Sequence, residues 1–151
     1  MSPLKDFSRF IEDGIVRKQR ADISRAKSLI EEADKRRTFL NEMITKIPIT
    51  DENANYYVET CYDTLMGLIR AKLLADGYNS SGAYAHEAEV SYLKELGFPD
   101  SDVRFVNDLR YFRNGILYYG KQLDSDYANK VLRLFKRMYP RMRKLLESIA
   151  P

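Results

Sequence analysis

The chain has 151 residues, of which 44% are hydrophobic and 31% are charged, and its formal net charge is +3. This length predicts one domain over residues 1–151, and the composition argues against a disordered chain. No run approaches the roughly 20 apolar residues of a membrane span, so we expect no membrane association. Cys61 is the only cysteine, which excludes an intramolecular disulfide and fits a cytoplasmic protein.

The first part of the chain predicts one short helix and one long one. Residues 1–16 are expected to carry a short extension helix with Ser2 as N-cap and Pro3 in its first turn. Apolar residues spaced by three and four predict a long amphipathic helix over about Arg17–Ile47, ended by Pro48. No stretch alternates as a strand would, so no strand is predicted.

The next two helices are bounded by turn-forming residues. Thr50 and Asp51 can cap a helix that runs to Asp76, and Gly77 follows at the position where a left-handed residue is common. A shorter helix is predicted over about Ala83–Leu96.

The last two helices complete the predicted fold. One spans about Asp102–Tyr118 and is terminated by Gly120, and the other begins at Asp124 or Ser125. Pro140 lies inside the last helix, so a kink or a division into two pieces is expected there. The fold class is therefore all-α, as an antiparallel bundle of four to five helices with a long N-terminal helix.

Arg113 is the residue least expected where the pattern puts it. It lies one turn from both Leu109 and Ile116, on the apolar face of the fourth major helix. An unpaired buried guanidinium is costly, so Arg113 should pair with a carboxylate, reach the edge of the helix or line a polar cleft. The candidate ion-pair partners are Asp108, Glu59 and Asp63. Asn114 and Gly115 follow it, and both cost up to about 1 kcal/mol in a helix relative to alanine, which indicates a site.

These residues belong to a segment that resembles a known family motif. The segment reads Leu109-Arg110, then Arg113-Asn114-x-Ile116-x-Tyr118-Tyr119-Gly120, and it resembles the penultimate helix of HEPN domains. Upstream matches to the same superfamily are Tyr62-Asp63, Arg70 to Leu74, Gly77-Tyr78 and Ala85-His86. The resemblance spans about Asn53 to Leu146.

The resemblance implies a helical bundle that forms a homodimer and uses neither a metal nor another cofactor. Many HEPN domains are metal-independent ribonucleases that use an arginine, the polar residue after it and a histidine further along the helix. Others pair with small nucleotidyltransferases in toxin–antitoxin modules. In this chain Arg113 matches the arginine and Asn114 the polar residue, but Tyr118 stands where the histidine would be.

Tyr118 changes the expected activity from hydrolysis to binding. An unperturbed histidine titrates near pH 6.5, whereas an unperturbed tyrosine titrates near pH 10 and is a poor general base. We expect Arg113 to hold phosphate, Asn114 to orient it and Tyr118 to stack on a base or donate a hydrogen bond. Arg110 and Tyr119 are further candidates for ligand binding.

Arg113 and Tyr118 are separated by about 7.5 Å of rise and roughly 140° of rotation on an ideal helix. They need not share a pocket within one chain, so a homodimer is expected to collect them into a composite cleft. His86, the only histidine, opens a helix beside Glu87 and Glu89 and is interpreted as a capping or surface residue.

The last helix carries a row of cations opposite its apolar stripe. This basic surface could follow phosphates or an acidic partner, or could be an ordinary solvated face. Its members are Lys130, Arg133, Arg137, Arg141 and Lys144.

The leading functional hypothesis is an RNA- or nucleotide-binding protein with degenerate catalysis, from a toxin–antitoxin or nucleotidyltransferase-associated module. One alternative is a metal-independent endoribonuclease that uses Arg113. Another is a protein-interaction module that does not bind nucleic acid.

Overall fold

The computed structural model describes residues 3–151, which form six α-helices and a sheet of two short strands. In chain order these are α1 (Phe7–Glu12), β1 (Val16–Lys18), α2 (Ile23–Lys46), α3 (Ala54–Ala75), β2 (Tyr78–Ser80), α4 (Ala85–Glu95), α5 (Asp100–Tyr119) and α6 (Ser125–Leu145). The mostly helical architecture confirms the predicted all-α class. Between residues 3 and 151, no helix is both long and apolar enough to cross a membrane.

The N-terminal region differs from the prediction. Arg17 and Lys18 belong to β1, so the long helix begins only at Ile23, and Val16 pairs with Ser80 of β2 in an antiparallel register. The expectation of no strand was wrong because a strand of three residues is too short to show an alternating pattern. The short predicted helix is present as α1, but it begins at Phe7 with Asp6 as its N-cap, so Pro3 precedes the helix instead of lying in its first turn. The predicted cap, Ser2, lies outside the described residues.

A small second core fixes this region onto the end of α3. Phe7 and Phe10 of α1 pack with Val16, Leu73 and Tyr92. The strands are thus held by side-chain burial as well as by their own hydrogen bonds.

The central helix of the fold is α3, which packs against α2, α4, α5 and α6. The Tyr57 hydroxyl donates to the Met43 carbonyl, at 3.2 Å, near the start of α3. The Asp22 amide donates to the Leu74 carbonyl, at 2.9 Å, near its end. Contacts at both ends show that α2 and α3 are antiparallel.

Asp51 caps a different helix from the one predicted. Its Oδ1 accepts a hydrogen bond from the Ser125 amide at 2.8 Å, so it holds the start of α6 instead of the start of α3. That backbone hydrogen bond lowers the pKa of the Asp51 carboxyl. The helix α6 begins at Ser125, as predicted, and Asp124 caps it by accepting from the Tyr127 amide at 2.8 Å.

Pro140 does not divide α6, which is one continuous helix from Ser125 to Leu145. Of the two outcomes predicted at Pro140, a kink or a division into two pieces, the division is therefore excluded. Tyr139 and Met142, on either side of Pro140, are both buried in the main core. Packing on both sides of the proline compensates for the backbone hydrogen bond that it removes.

Candidate functional site

The second half of α5 borders a cleft of about 370 Å³ between α3, α4 and α5. From α5 the cleft is lined by Arg110, Arg113, Asn114, Leu117 and Tyr118. From α3 and α4 it is lined by Tyr62, Asp63, His86 and Glu87. Four of the five predicted ligand-binding residues thus border one cavity. Tyr119 does not line it, and this side chain is 87% exposed.

Arg113 is paired with Asp63, one of the three carboxylates predicted as partners. Its Nε lies 3.6 Å from Asp63 Oδ1, and its side chain is 22% exposed. This distance allows electrostatic attraction but is too long for a hydrogen bond. Within residues 3–151 the Arg113 guanidinium makes no hydrogen bond in this structure, so its donors remain available to an anion entering the cleft.

Arg110 is held more firmly than Arg113. Its Nε donates to Asn107 Oδ1 at 3.1 Å, and its Nη2 lies 3.3 Å from Glu87 Oε1. Next to it, burial raises the pKa of the Tyr62 hydroxyl, while the charge of Arg110 acts in the opposite direction. Arg110 therefore provides a fixed positive charge at one side of the cleft.

Tyr118 and Arg113 line the same cleft within one chain. One chain is thus enough to bring these two side chains to one cavity, and the homodimer stays a prediction. Tyr118 is 71% exposed, so its ring is open to contact with a ligand.

His86 is exposed, as expected for a surface residue, and it also lines this cleft. Its neighbour Glu89 was one reason for that interpretation, yet the Glu89 side chain is only 2% exposed and lies 3.0 Å from Arg70 Nη2. The available signal was the resemblance of both Tyr62-Asp63 and Ala85-His86 to segments of one superfamily.

The end of α5 is fixed by Gly120 and by the loop after it. Gly120 adopts the predicted left-handed conformation, with φ of +63°. The Asn55 side chain then donates to the Lys121 carbonyl and accepts from the Leu123 amide, both at 2.8 Å. The start of α3 thereby positions the end of the helix that carries the candidate site.

The predicted basic surface on α6 is partly engaged within the chain. Arg137 Nη2 lies 2.5 Å from Asp102 Oδ1, and Arg141 Nη2 donates to the Gly97 carbonyl at 2.7 Å. The other members, Lys130, Arg133 and Lys144, are exposed. Two of the five members of this row therefore already have partners within the chain.

Metal binding and cysteine nucleophilic catalysis have little support in the part of the chain that the structure describes. Residues 3–151 contain no group of three or more His, Cys, Asp or Glu side chains arranged to hold a metal ion. Cys61 is buried, and burial raises the pKa of its thiol to about 12, which suits a core residue and not a nucleophile.

Comparison with protein-family models, with curated proteins and with solved structures finds no match to this chain.

Proposed function

We propose that this chain is a HEPN-like protein that binds RNA or a nucleotide in the cleft beside α5. The observation that carries the proposal is the Arg113 guanidinium, which lines a polar cleft with donors not used in hydrogen bonds. Asn114, Tyr118 and Arg110 border the same cavity. The class of ligand, RNA or a nucleotide, is inferred from the resemblance of the sequence motif to HEPN domains.

Phosphate is the ligand group that suits Arg113 best. A phosphate oxygen can accept paired hydrogen bonds from a guanidinium and so compete with the longer contact to Asp63. Arg110 adds positive charge, the Asn114 amide orients the phosphate, and the exposed ring of Tyr118 stacks on a base. Binding, with degenerate catalysis, is the function that we assign to these residues.

A binding experiment tests this proposal through two arginines. Arg113→Ala is expected to weaken binding of a short single-stranded RNA about tenfold or more, from the loss of roughly 1.5 kcal/mol of charge-assisted hydrogen bonding. Arg133→Ala, an exposed cation on α6, is the matched control and should change affinity much less. Titration calorimetry at low salt measures both. Equal losses in the two variants would contradict a specific site and favour the basic surface of α6.

The position of His86 favours the endoribonuclease alternative as a second candidate. The imidazole of His86 could accept the proton of an RNA 2′-hydroxyl while the 2′-oxygen forms a bond to phosphorus. Arg113 could then stabilise the phosphorane. The 5′-oxygen would leave and take a proton from water. Incubation with RNA decides: cleavage that is abolished by both Arg113→Ala and His86→Gln would replace the binding proposal with this one.

The protein-interaction alternative makes the opposite prediction for RNA. If no RNA or nucleotide binds at low salt, where phosphate contacts are strongest, the chain is better regarded as a protein-docking module. A neighbouring gene for a small nucleotidyltransferase would support the proposed toxin–antitoxin or nucleotidyltransferase-associated context.

The proposal also includes the finer architecture and the assembly. We propose that the helices form an antiparallel HEPN-type bundle, that two chains pair through α5, and that the protein works in the cytoplasm.

A further inference from the structure

A second cavity adjoins the cleft on the other side of α3. It measures about 230 Å³ and lies between α2, α3 and the start of α4. Three residues, Tyr62, Asp63 and His86, line both cavities. The two cavities therefore meet across the surface of α3, and a ligand longer than one nucleotide can occupy both.

Gly67 opens this second cavity. It lies in the interior of α3, where glycine is the least favourable residue after proline. A Cβ atom built at Gly67 meets nothing within 4 Å, so no close packing of neighbouring atoms requires a glycine here. Since any larger side chain at this position would project into the cavity, the glycine keeps the space open.

Cationic side chains border both cavities. Arg36 of α2 and Arg70 of α3 line the second cavity, as Arg110 and Arg113 line the cleft. Arg36 is exposed, and its Nε lies 3.5 Å from Glu32 Oε1, at the limit of a hydrogen bond. Arg70 is held by both carboxylate oxygens of Glu89, so Arg36 is the cation of the second cavity that a phosphate can engage, as Arg113 is in the cleft. A ligand with a single phosphate uses only one of these two arginines, whereas a ligand with repeated phosphates uses both.

We propose that the ligand is a single-stranded polynucleotide that crosses α3. One nucleotide lies in the cleft beside Arg113, and the next lies in the second cavity beside Gly67 and Arg36. This inference rests on the proposed function. Repeated phosphates along a groove and bases free to stack characterise a single strand, while the bases of a duplex are already stacked and paired.

A series of RNA lengths tests the inference on the full chain. For the wild type, affinity is expected to rise at least tenfold from a mononucleotide to a tetranucleotide. Gly67→Leu fills the second cavity and should abolish this rise while leaving mononucleotide affinity unchanged. Gly67→Ala, which adds a single methyl group, should have an intermediate effect, and circular dichroism checks that each variant is folded.

A pair of arginines on α2 gives an independent readout that does not depend on filling space. Arg36→Ala is expected to weaken tetranucleotide binding at least fivefold. Arg25→Ala, an exposed arginine on the same helix that does not line the cavity, is the matched control and should leave that binding unchanged. If Gly67→Leu fails to fold, this pair decides the question.

Three outcomes would overturn the inference while the proposed function stands. These are an equal affinity for mononucleotide and tetranucleotide, an equally tight complex with duplex RNA, and an Arg36→Ala variant that binds like the wild type. If neither a mononucleotide nor an oligonucleotide binds, the proposed function itself is wrong. A DNA tetranucleotide measured in parallel distinguishes the two chemical classes of single strand.

Discussion

The burial of Glu89 could not be predicted from the sequence. Its Oε2 accepts from Arg70 Nε at 3.1 Å and its Oε1 accepts from Arg70 Nη2 at 3.2 Å, so the pair is bidentate. The two residues are 19 positions apart on separate helices, and the face of α4 that turns inward is set by tertiary packing. Arg113 was easier to identify, because its own helix already places a cation on an apolar face.

Removing the charge of Glu89 should destabilise the protein strongly. Glu89→Gln leaves Arg70 without its carboxylate in a largely buried site, and we expect a loss of about 3 kcal/mol in the free energy of unfolding. Urea denaturation measures it. Glu32→Gln, which removes the exposed partner of Arg36, is the control and should cost less than about 1 kcal/mol. Similar losses of unfolding free energy in the two variants would mean that the buried ion pair stabilises the protein no more than the exposed one.

At the scale of elements, helix ends with clear chemical signals were predictable and the short strands were not. As predicted, α5 ends at Gly120 and α6 begins after Asp124, because a left-handed terminus and a side-chain cap are local requirements. Asp51 has the right residue type for a cap but serves the distant helix α6. Its partner Ser125 is 74 positions away, so local sequence could not identify the helix that it caps.

Two glycines near the end of α5 should respond to alanine in opposite directions. Gly120→Ala forces a side chain into a left-handed conformation, φ +63°, and should cost about 1 kcal/mol. Gly115→Ala replaces a glycine inside the helix, where alanine is favoured by up to about 1 kcal/mol. Its Cβ would lie 3.4 Å from Lys121 Cδ, an atom of a flexible side chain that can move.

Thermal unfolding of both variants measures this difference. A lower melting temperature for Gly120→Ala and a higher one for Gly115→Ala is the expected result. An unchanged melting temperature for Gly120→Ala would contradict a required left-handed end to α5.

At the scale of the whole molecule, the sequence predicted the helical class and the segment that lines the cleft, but not the cleft itself. Its walls come from three helices that are brought together only by folding, and His86 joins Arg113 for that reason. The second cavity was equally hidden, since Gly67 has no signal beyond being a glycine inside a helical pattern.

The exposed apolar side chains of α5 are the candidates for the proposed homodimer contact. Tyr111, Leu117 and Tyr119 are exposed along this helix, and exposed large apolar and aromatic side chains commonly mark an interface. Leu117, at 57% exposure, has no polar group that would explain an exposed position. Burial of these side chains against a second copy would remove them from water.

Leu117→Arg should therefore convert a dimer into a monomer. The chain mass is 17.6 kDa, so light scattering should give about twice that value for the wild type and the single-chain value for the variant, because two guanidinium groups would be forced into an apolar contact. Tyr56→Arg is the control, since Tyr56 is 70% exposed on α3, outside α5, and it should remain dimeric. A wild-type mass near that of one chain would contradict the homodimer but leave the cleft intact, because all of its lining residues come from one chain.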